Sequence, residues 1–192
     1  MPYSGMLLRP AQPEDALAVA GVHVRSWQAA YRNILPDDYL NQLRPEDRAA
    51  KYDFATRDPL KPRTIVAVEE GKPSAIYGFA TTMPVTDSDM PGYGELCALY
   101  VDPQHWGKGL GVALVSAARE QMFEQGFGKA ILWVLTGNVR AERFYQNDSW
   151  TADGVRRKAT VWGIEVDEIR YARQLEPHSP GQARPQRAAG GE

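Results

Sequence analysis

The residue types that promise chemistry gather in mid-chain, in Leu99-Tyr100-Val101-Asp102-Pro103-Gln104-His105-Trp106-Gly107-Lys108-Gly109-Leu110-Gly111. An apolar strand runs into a turn, and the turn opens a helix with glycine at every second position. A helix mouth carries unpaired N–H groups and the positive end of the helix dipole, which suits a phosphate or pyrophosphate. Glycine, lacking a Cβ, lets such a ligand approach the backbone itself.

The spacing separates this turn from two other phosphate motifs. The dinucleotide fingerprint GxGxxG is met at Gly107 and Gly109, but Val112 stands where its third glycine belongs. The P-loop GxxxxGK fails because Asp102 occupies the place of its first glycine. A glycine turn with structural duty alone remains open on spacing. A second segment adds to the pattern: Thr136-Gly137-Asn138 follows an apolar run, and then comes Val139-Arg140-Ala141-Glu142-Arg143-Phe144-Tyr145. At helical spacing Ala141, Phe144 and Tyr145 share one face.

Together, Gln104-x-x-Gly107-x-Gly109 and Asn138-x-x-Ala141-x-x-Phe144-Tyr145 resemble the signature segments of the GCN5-related N-acetyltransferase (GNAT) superfamily. The resemblance extends over residues 6–175, because the order of elements matches too. It implies that acetyl-CoA is the co-substrate. Backbone amides of Gly107, Lys108, Gly109, Leu110 and Gly111 would hold its pyrophosphate, in a binding segment that includes Gln104 and Trp106. The backbone of Leu99, Tyr100 and Val101 would pair with the pantetheine arm as a strand does. Lys108 is either a charge near the phosphates or a solvated surface lysine. Asn138 would contact the cofactor arm. Tyr145 would be the general acid, a phenol donating to a leaving thiolate of similar basicity.

The acceptor, an amine, is mostly protonated at neutral pH, so a base is useful. Glu95 opens the strand Gly94–Val101, and period-two alternation puts it on one face with Cys97, Leu99 and Val101. Glu95 acting through water, His23, or water alone are the candidate bases. Cys97 is expected as a small core residue. His23, Trp27 and Tyr31 form a helical stripe that either lines the acceptor pocket or packs on the sheet. Asp37, Asp38, Asp87 and Asp89 are loop acids, read as solvated. Ser26 and Ser116 have no triad pattern around them, and no His/Cys cluster has metal-ligand spacing.

The elements that must position these groups are legible from periodicity and turn chemistry. Strands are expected at 6–9, 63–69, 75–83, 94–101, 129–135, about 150–161 and about 164–174. Helices are expected from Pro13 through Tyr31, at about 36–43 and 45–57, at 109–125 and at 139–146. One strand–helix–strand crossover sits among antiparallel hairpins. The fold class is therefore α+β, a central mixed, mostly antiparallel sheet of about seven strands with helices on both faces, as the GNAT resemblance also implies.

Composition bounds the rest. A chain of 192 residues with 43% hydrophobic and 24% charged residues suits one soluble domain, read as 1–175, followed by a Pro/Gly/Ala-rich tail at 176–192 expected to be disordered. A net charge of −2 argues against nucleic acid or an anionic membrane as partner. No apolar run approaches a membrane span, and no signal-peptide pattern opens the chain. One cysteine excludes an internal disulfide and suits the cytoplasm. The expected activity is direct acetyl transfer to the primary amine of a small molecule. A protein N-terminal or lysine acetyltransferase and a non-catalytic acyl-CoA sensor are the alternatives. Strands 150–174 are the candidate contact of a homodimer.

Overall fold

A computed structural model describes residues 5–85 and 90–177. Asp87, Asp89 and nearly all of the expected tail lie outside the described residues.

Seven strands form one sheet in the order β1-β2-β3-β4-β5-β7-β6. They are β1 (Met6–Pro10), β2 (Arg63–Glu69), β3 (Lys72–Pro84), β4 (Tyr93–Val101), β5 (Lys129–Leu135), β6 (Thr151–Val161) and β7 (Ile164–Gln174). Every neighbouring pair is antiparallel except β4 and β5, which are parallel. A parallel pair needs a crossover, and α4 (Leu110–Glu124) supplies it.

The helices divide between the two faces. α4 buries Leu110, Leu114, Val115, Ala118 and Met122 against one face of the sheet. α5 (Val139–Asn147) joins it through Ala141, Phe144 and Tyr145, the face expected from their spacing. On the opposite face lies α1 (Ala16–Ala30). Val19 and Val22 pack on β2 and β3, while Trp27 joins Tyr31, Leu40, Leu135 and Val166 farther along. The short helices α2 (Asp37–Asn41) and α3 (Pro45–Ala49) follow α1 on that side. Asp15, buried before α1, takes two bonds from Arg9 at 2.6 and 2.9 Å and one from the Gln12 amide, which anchors the helix start to β1. Among the described residues, no helix is long and apolar enough to cross a membrane.

Two departures from the sequence reading bear on the site. α3 stops at Ala49 instead of continuing to 57, because the chain from Lys51 on leaves helical geometry. More consequential is a β-bulge in β4. Thr81 pairs with Ala98 and Thr82 with Leu96, so Cys97 has no partner on β3. One extra residue reverses the alternation. Leu96, Leu99 and Val101 face α4, whereas Ala98 and Tyr100 face α1. Glu95, next to Leu96, is therefore on the α1 face. It does not share a face with Leu99 and Val101 as simple alternation requires.

Candidate active site

The parallel pair β4–β5 is short. Its register covers only Tyr93↔Lys129, Gly94↔Ala130 and Glu95↔Ile131. Beyond these residues the strands splay, and the opening holds a cavity of about 150 Å³. Leu99, Tyr100, Val101, Trp106, Gly111, Asn138 and Tyr145 line it, so two distant sequence segments meet in one cleft.

The backbone of β4 is aimed into this opening. The Asp102 amide donates to the Tyr77 carbonyl at 2.8 Å, which makes Tyr77–Asp102 a hydrogen-bonded pair of the antiparallel ladder. Counting back, Tyr100 also bonds β3, whereas the polar groups of Leu99 and Val101 point away from it. The Val101 carbonyl is already satisfied, by Ser26 Oγ at 2.9 Å and Trp106 Nε1 at 2.8 Å. Ser26, which carried no recognisable motif, thus ties α1 to the cleft floor.

The turn into α4 presents a row of donors. Asp102 opens it, accepting from the Gln104 amide at 3.1 Å and pairing with Arg25 at 2.7 Å. Gly107 and Gly109 have φ of 71° and 78°, a left-handed backbone that favours glycine. Among the described residues, the amides of Gly107 through Gly111 have no protein acceptor within hydrogen-bond reach. Gly111 serves differently. It is helical, and a Cβ there would lie 3.3 Å from the Phe144 ring, so its bareness lets α5 approach α4. Gln104 and Lys108 are exposed and stand outside the cavity wall.

On α5, Asn138 caps the helix, its Oδ1 accepting from the Ala141 amide at 3.1 Å, while the residue lines the cavity. Tyr145 also faces the cavity. Burial, with the Tyr100 hydroxyl and Asp148 nearby, pushes its phenol well above the ordinary value. It stays protonated at any working pH. Arg140 stands with its guanidinium carbon 3.3 Å from the Trp106 ring centre. A cation in the first turn opposes the helix dipole, and no carboxylate pairs with it among the described residues. That misplaced charge is the sequence signal by which Arg140 was findable.

On the α1 face, the aromatic stripe divides. Tyr31 lines the cavity; His23 and Trp27 do not. Trp27 donates from Nε1 to the Tyr100 hydroxyl at 3.0 Å and stacks on Trp162 with ring centres 4.4 Å apart. His23 is buried, lies 2.8 Å from the Tyr52 hydroxyl through Nδ1, and packs on Tyr100 and Trp162. Burial, with Arg48 nearby, drives its pKa well down. It is a neutral packing residue away from the cleft. Cys97 also departs from expectation, because the bulge turns it out of the core and into the cleft. Enclosure by the cleft walls and the neighbouring Glu95 push its pKa up, so it is a thiol, not a thiolate nucleophile. Glu95 sits half-buried at the closed end of the splay and does not line the cavity wall.

Comparison with known proteins decides the family. The acetyltransferase (GNAT) family model matches residues 27–148. The uncharacterised N-acetyltransferase YuaI of Bacillus subtilis (strain 168) is 33% identical over 167 residues, which cover 81% of this chain and 91% of that protein. The chain belongs to the GNAT acetyltransferase family. It is an acetyl-CoA-dependent acyltransferase.

Solved structures share the fold of this GNAT enzyme. The paiA N-acetyltransferase of Thermoplasma acidophilum, in complex with coenzyme A, has a TM-score of 0.66 at 18% identity, covering 89% of this chain and 99% of that one. The putative acetyltransferase yncA of Salmonella typhimurium, with its cofactor acetyl-CoA, has a TM-score of 0.65 at 22% identity, covering 94% and 99%. The cleft of this GNAT enzyme fits such a ligand: unpaired amides stand at the turn, and strand edges lie open in the splay.

Proposed function

We propose that this enzyme moves the acetyl group of acetyl-CoA directly to the primary amine of a small molecule. The observation that carries the small-molecule reading is the closure of the α1 face. Tyr39 on α2 donates to the Trp162 carbonyl at 3.0 Å, Trp162 stacks on Trp27, and the Arg48 guanidinium lies 4.5 Å from the Trp162 ring centre. These contacts join the segment after α1 to the β6–β7 turn. A peptide strand crossing that face would have to break them.

Acetyl-CoA, when bound, supplies the thioester and its acetyl group. The amides of Gly107–Gly111 hold the pyrophosphate at the α4 mouth, and Arg140, against the Trp106 ring, adds a positive charge beside the turn. Leu99 and the Val101 amide take the pantetheine arm as an added strand edge. Asn138 orients that arm with the amide nitrogen left free by its cap. A β4 amide, that of Leu99, polarises the acetyl carbonyl. Tyr145 keeps its proton until the sulfur needs it. Glu95, on the acceptor face, draws a proton from the amine through water. Catalysis is mainly positioning with two proton transfers. A cytoplasmic setting fits the free thiol of Cys97, and the exposed edge strand β6 suits the anticipated homodimer.

The test is thiol release from acetyl-CoA by the full chain over a panel of small amines and lysine peptides. We expect small amines to stimulate release and peptides to fail. Release by peptides alone overturns the small-molecule reading. Acetyl-CoA binding with no amine-dependent release makes the protein a sensor.

A further inference from the structure

The faces of β4 and β5 divide the cavity wall between its two sides. Leu132 and Val134 of β5 pack with α4, while Leu135 packs with Trp27 and Tyr31 on the α1 side. Alternation therefore turns Trp133 toward the α1 side, and Trp133, Tyr31 and Leu135 all line the cavity. Ala98 of β4, which packs with Val19 and Val22 of α1, lies on the same side, and Ala30 of α1 joins it in the wall. Two large rings thus share this half of the cleft with two methyl groups. The alanines leave room that larger side chains would fill.

The chemistry of this wall is apolar and aromatic. Its hydroxyls are engaged: Ser26 Oγ donates to the Val101 carbonyl, and the Tyr100 hydroxyl accepts from Trp27 Nε1 at 3.0 Å. Trp133 already carries a cation. The Arg157 guanidinium carbon lies 3.9 Å from its ring centre, and that of Arg170 lies 5.8 Å away. Arg157 and Arg170 are paired in turn with Glu168 and Asp153, each at 2.7 Å, so two ion pairs brace the indole. A ring covered in this way has little attraction left for an ammonium group. Among the described residues, no carboxylate lines the cavity, and Arg140 is the one charged side chain on its wall. A second ammonium entering this half would shed its water and meet no opposite charge there. An aromatic ring would instead bury apolar surface against Trp133, Tyr31 and Leu135.

Resting on the amine-acetyltransferase reading, we propose that Trp133 and Tyr31 form an aromatic slot for the acceptor, which selects primary amines bearing an aryl ring over amines bearing a second positive charge. The slot holds the ring, and the short link between ring and nitrogen brings the amine toward the thioester. Trp133 is a specificity-determining residue, and no proton or covalent step passes through it.

The experiment measures kcat/KM of the full chain for phenethylamine, ethylamine and 1,4-diaminobutane, in wild type, Trp133→Leu and Trp133→Phe, alongside melting temperatures. Phenethylamine and ethylamine share the reacting group and differ by the ring. We expect wild type to favour phenethylamine over ethylamine by about ten-fold or more, the scale of burying one phenyl group, and to use 1,4-diaminobutane no better than ethylamine. Trp133→Leu should remove most of the preference for the ring, with the acetyl-CoA KM unchanged, and Trp133→Phe should keep most of it. Wild type using 1,4-diaminobutane as well as phenethylamine overturns the proposal, and that comparison stands even if Trp133→Leu fails to fold. An equal loss toward phenethylamine and ethylamine in Trp133→Leu also overturns it, since the indole would then only support the wall. Turnover of ethylamine with no preference for the ring sinks the slot alone. If no amine stimulates thiol release by wild type, the underlying reading falls, and the slot with it.

Discussion

The two halves of the cleft are built from different material. The donor half is mostly backbone: amides of the turn at 107–111 and strand edges at Leu99 and Val101. The other half is mostly side chains: Tyr31, Tyr100 and Trp133, braced by Trp27, His23 and Trp162. A backbone site fixes which conformations are allowed and so leaves a rigid spacing of glycines. A side-chain site requires only that certain groups meet in space, and different positions satisfy that equally well. On the proposed reading the first would hold a ligand common to many enzymes, the second whatever one enzyme needs.

The sharpest break between the halves is at Tyr145, which closes the donor side. Tyr145→Phe removes one oxygen and should lower kcat by about 10²-fold or more, with acetyl-CoA affinity nearly unchanged by equilibrium titration. Equal turnover would remove the general-acid role. Because burial raises the phenol's pKa, its acid form persists to higher pH than in a free tyrosine. The kcat profile should accordingly show no basic limb from this group below about pH 10.

Gly109→Ala attacks the backbone half alone. An L-residue at φ 78° is strained by about 1–2 kcal/mol, and relief would rotate the amides of the turn. We expect coenzyme A affinity to fall by about ten-fold, while amine KM changes little. Affinity equal to wild type would show that the turn does not need its present conformation to bind. The gentlest probe lies on the acceptor side. Tyr39→Phe deletes the bond to the Trp162 carbonyl and should cost about 0.5–1 kcal/mol. Turn amides around Trp162 should exchange faster, and lysine peptides should begin to react. No change in either measurement would mean that the α1 face is closed by stacking alone.

Legibility followed the same division. The glycine spacing, the shared face of Ala141, Phe144 and Tyr145, and the crossover between β4 and β5 all express local periodicity, and the sequence carries them openly. The bulge at Cys97 does not, because it arises from how β4 pairs with β3, and nothing in Glu95-Leu96-Cys97-Ala98 marks an extra residue. That one slip moved Glu95 to the other face and brought Cys97 out of the core. The stripe His23, Trp27, Tyr31 was right as a helix face but ambiguous in what it touched. Helical spacing shows that residues point together and leaves open which of them reaches a cavity.

The turn that closes β6 and β7 has a further consequence. Trp162 and Gly163 both have positive φ, 52° and 81°, the backbone of a two-residue hairpin loop that ordinarily favours asparagine followed by glycine. Tryptophan is a poor occupant of the first place, and the turn's own chemistry does not sustain it. What holds it is remote in sequence: Trp27, His23 and Arg48 around the indole, and Tyr39 on its carbonyl. The last hairpin and the first helix therefore form one cooperative unit. Loosening the Trp162 turn would therefore be felt in α1, and loosening α1 in that turn.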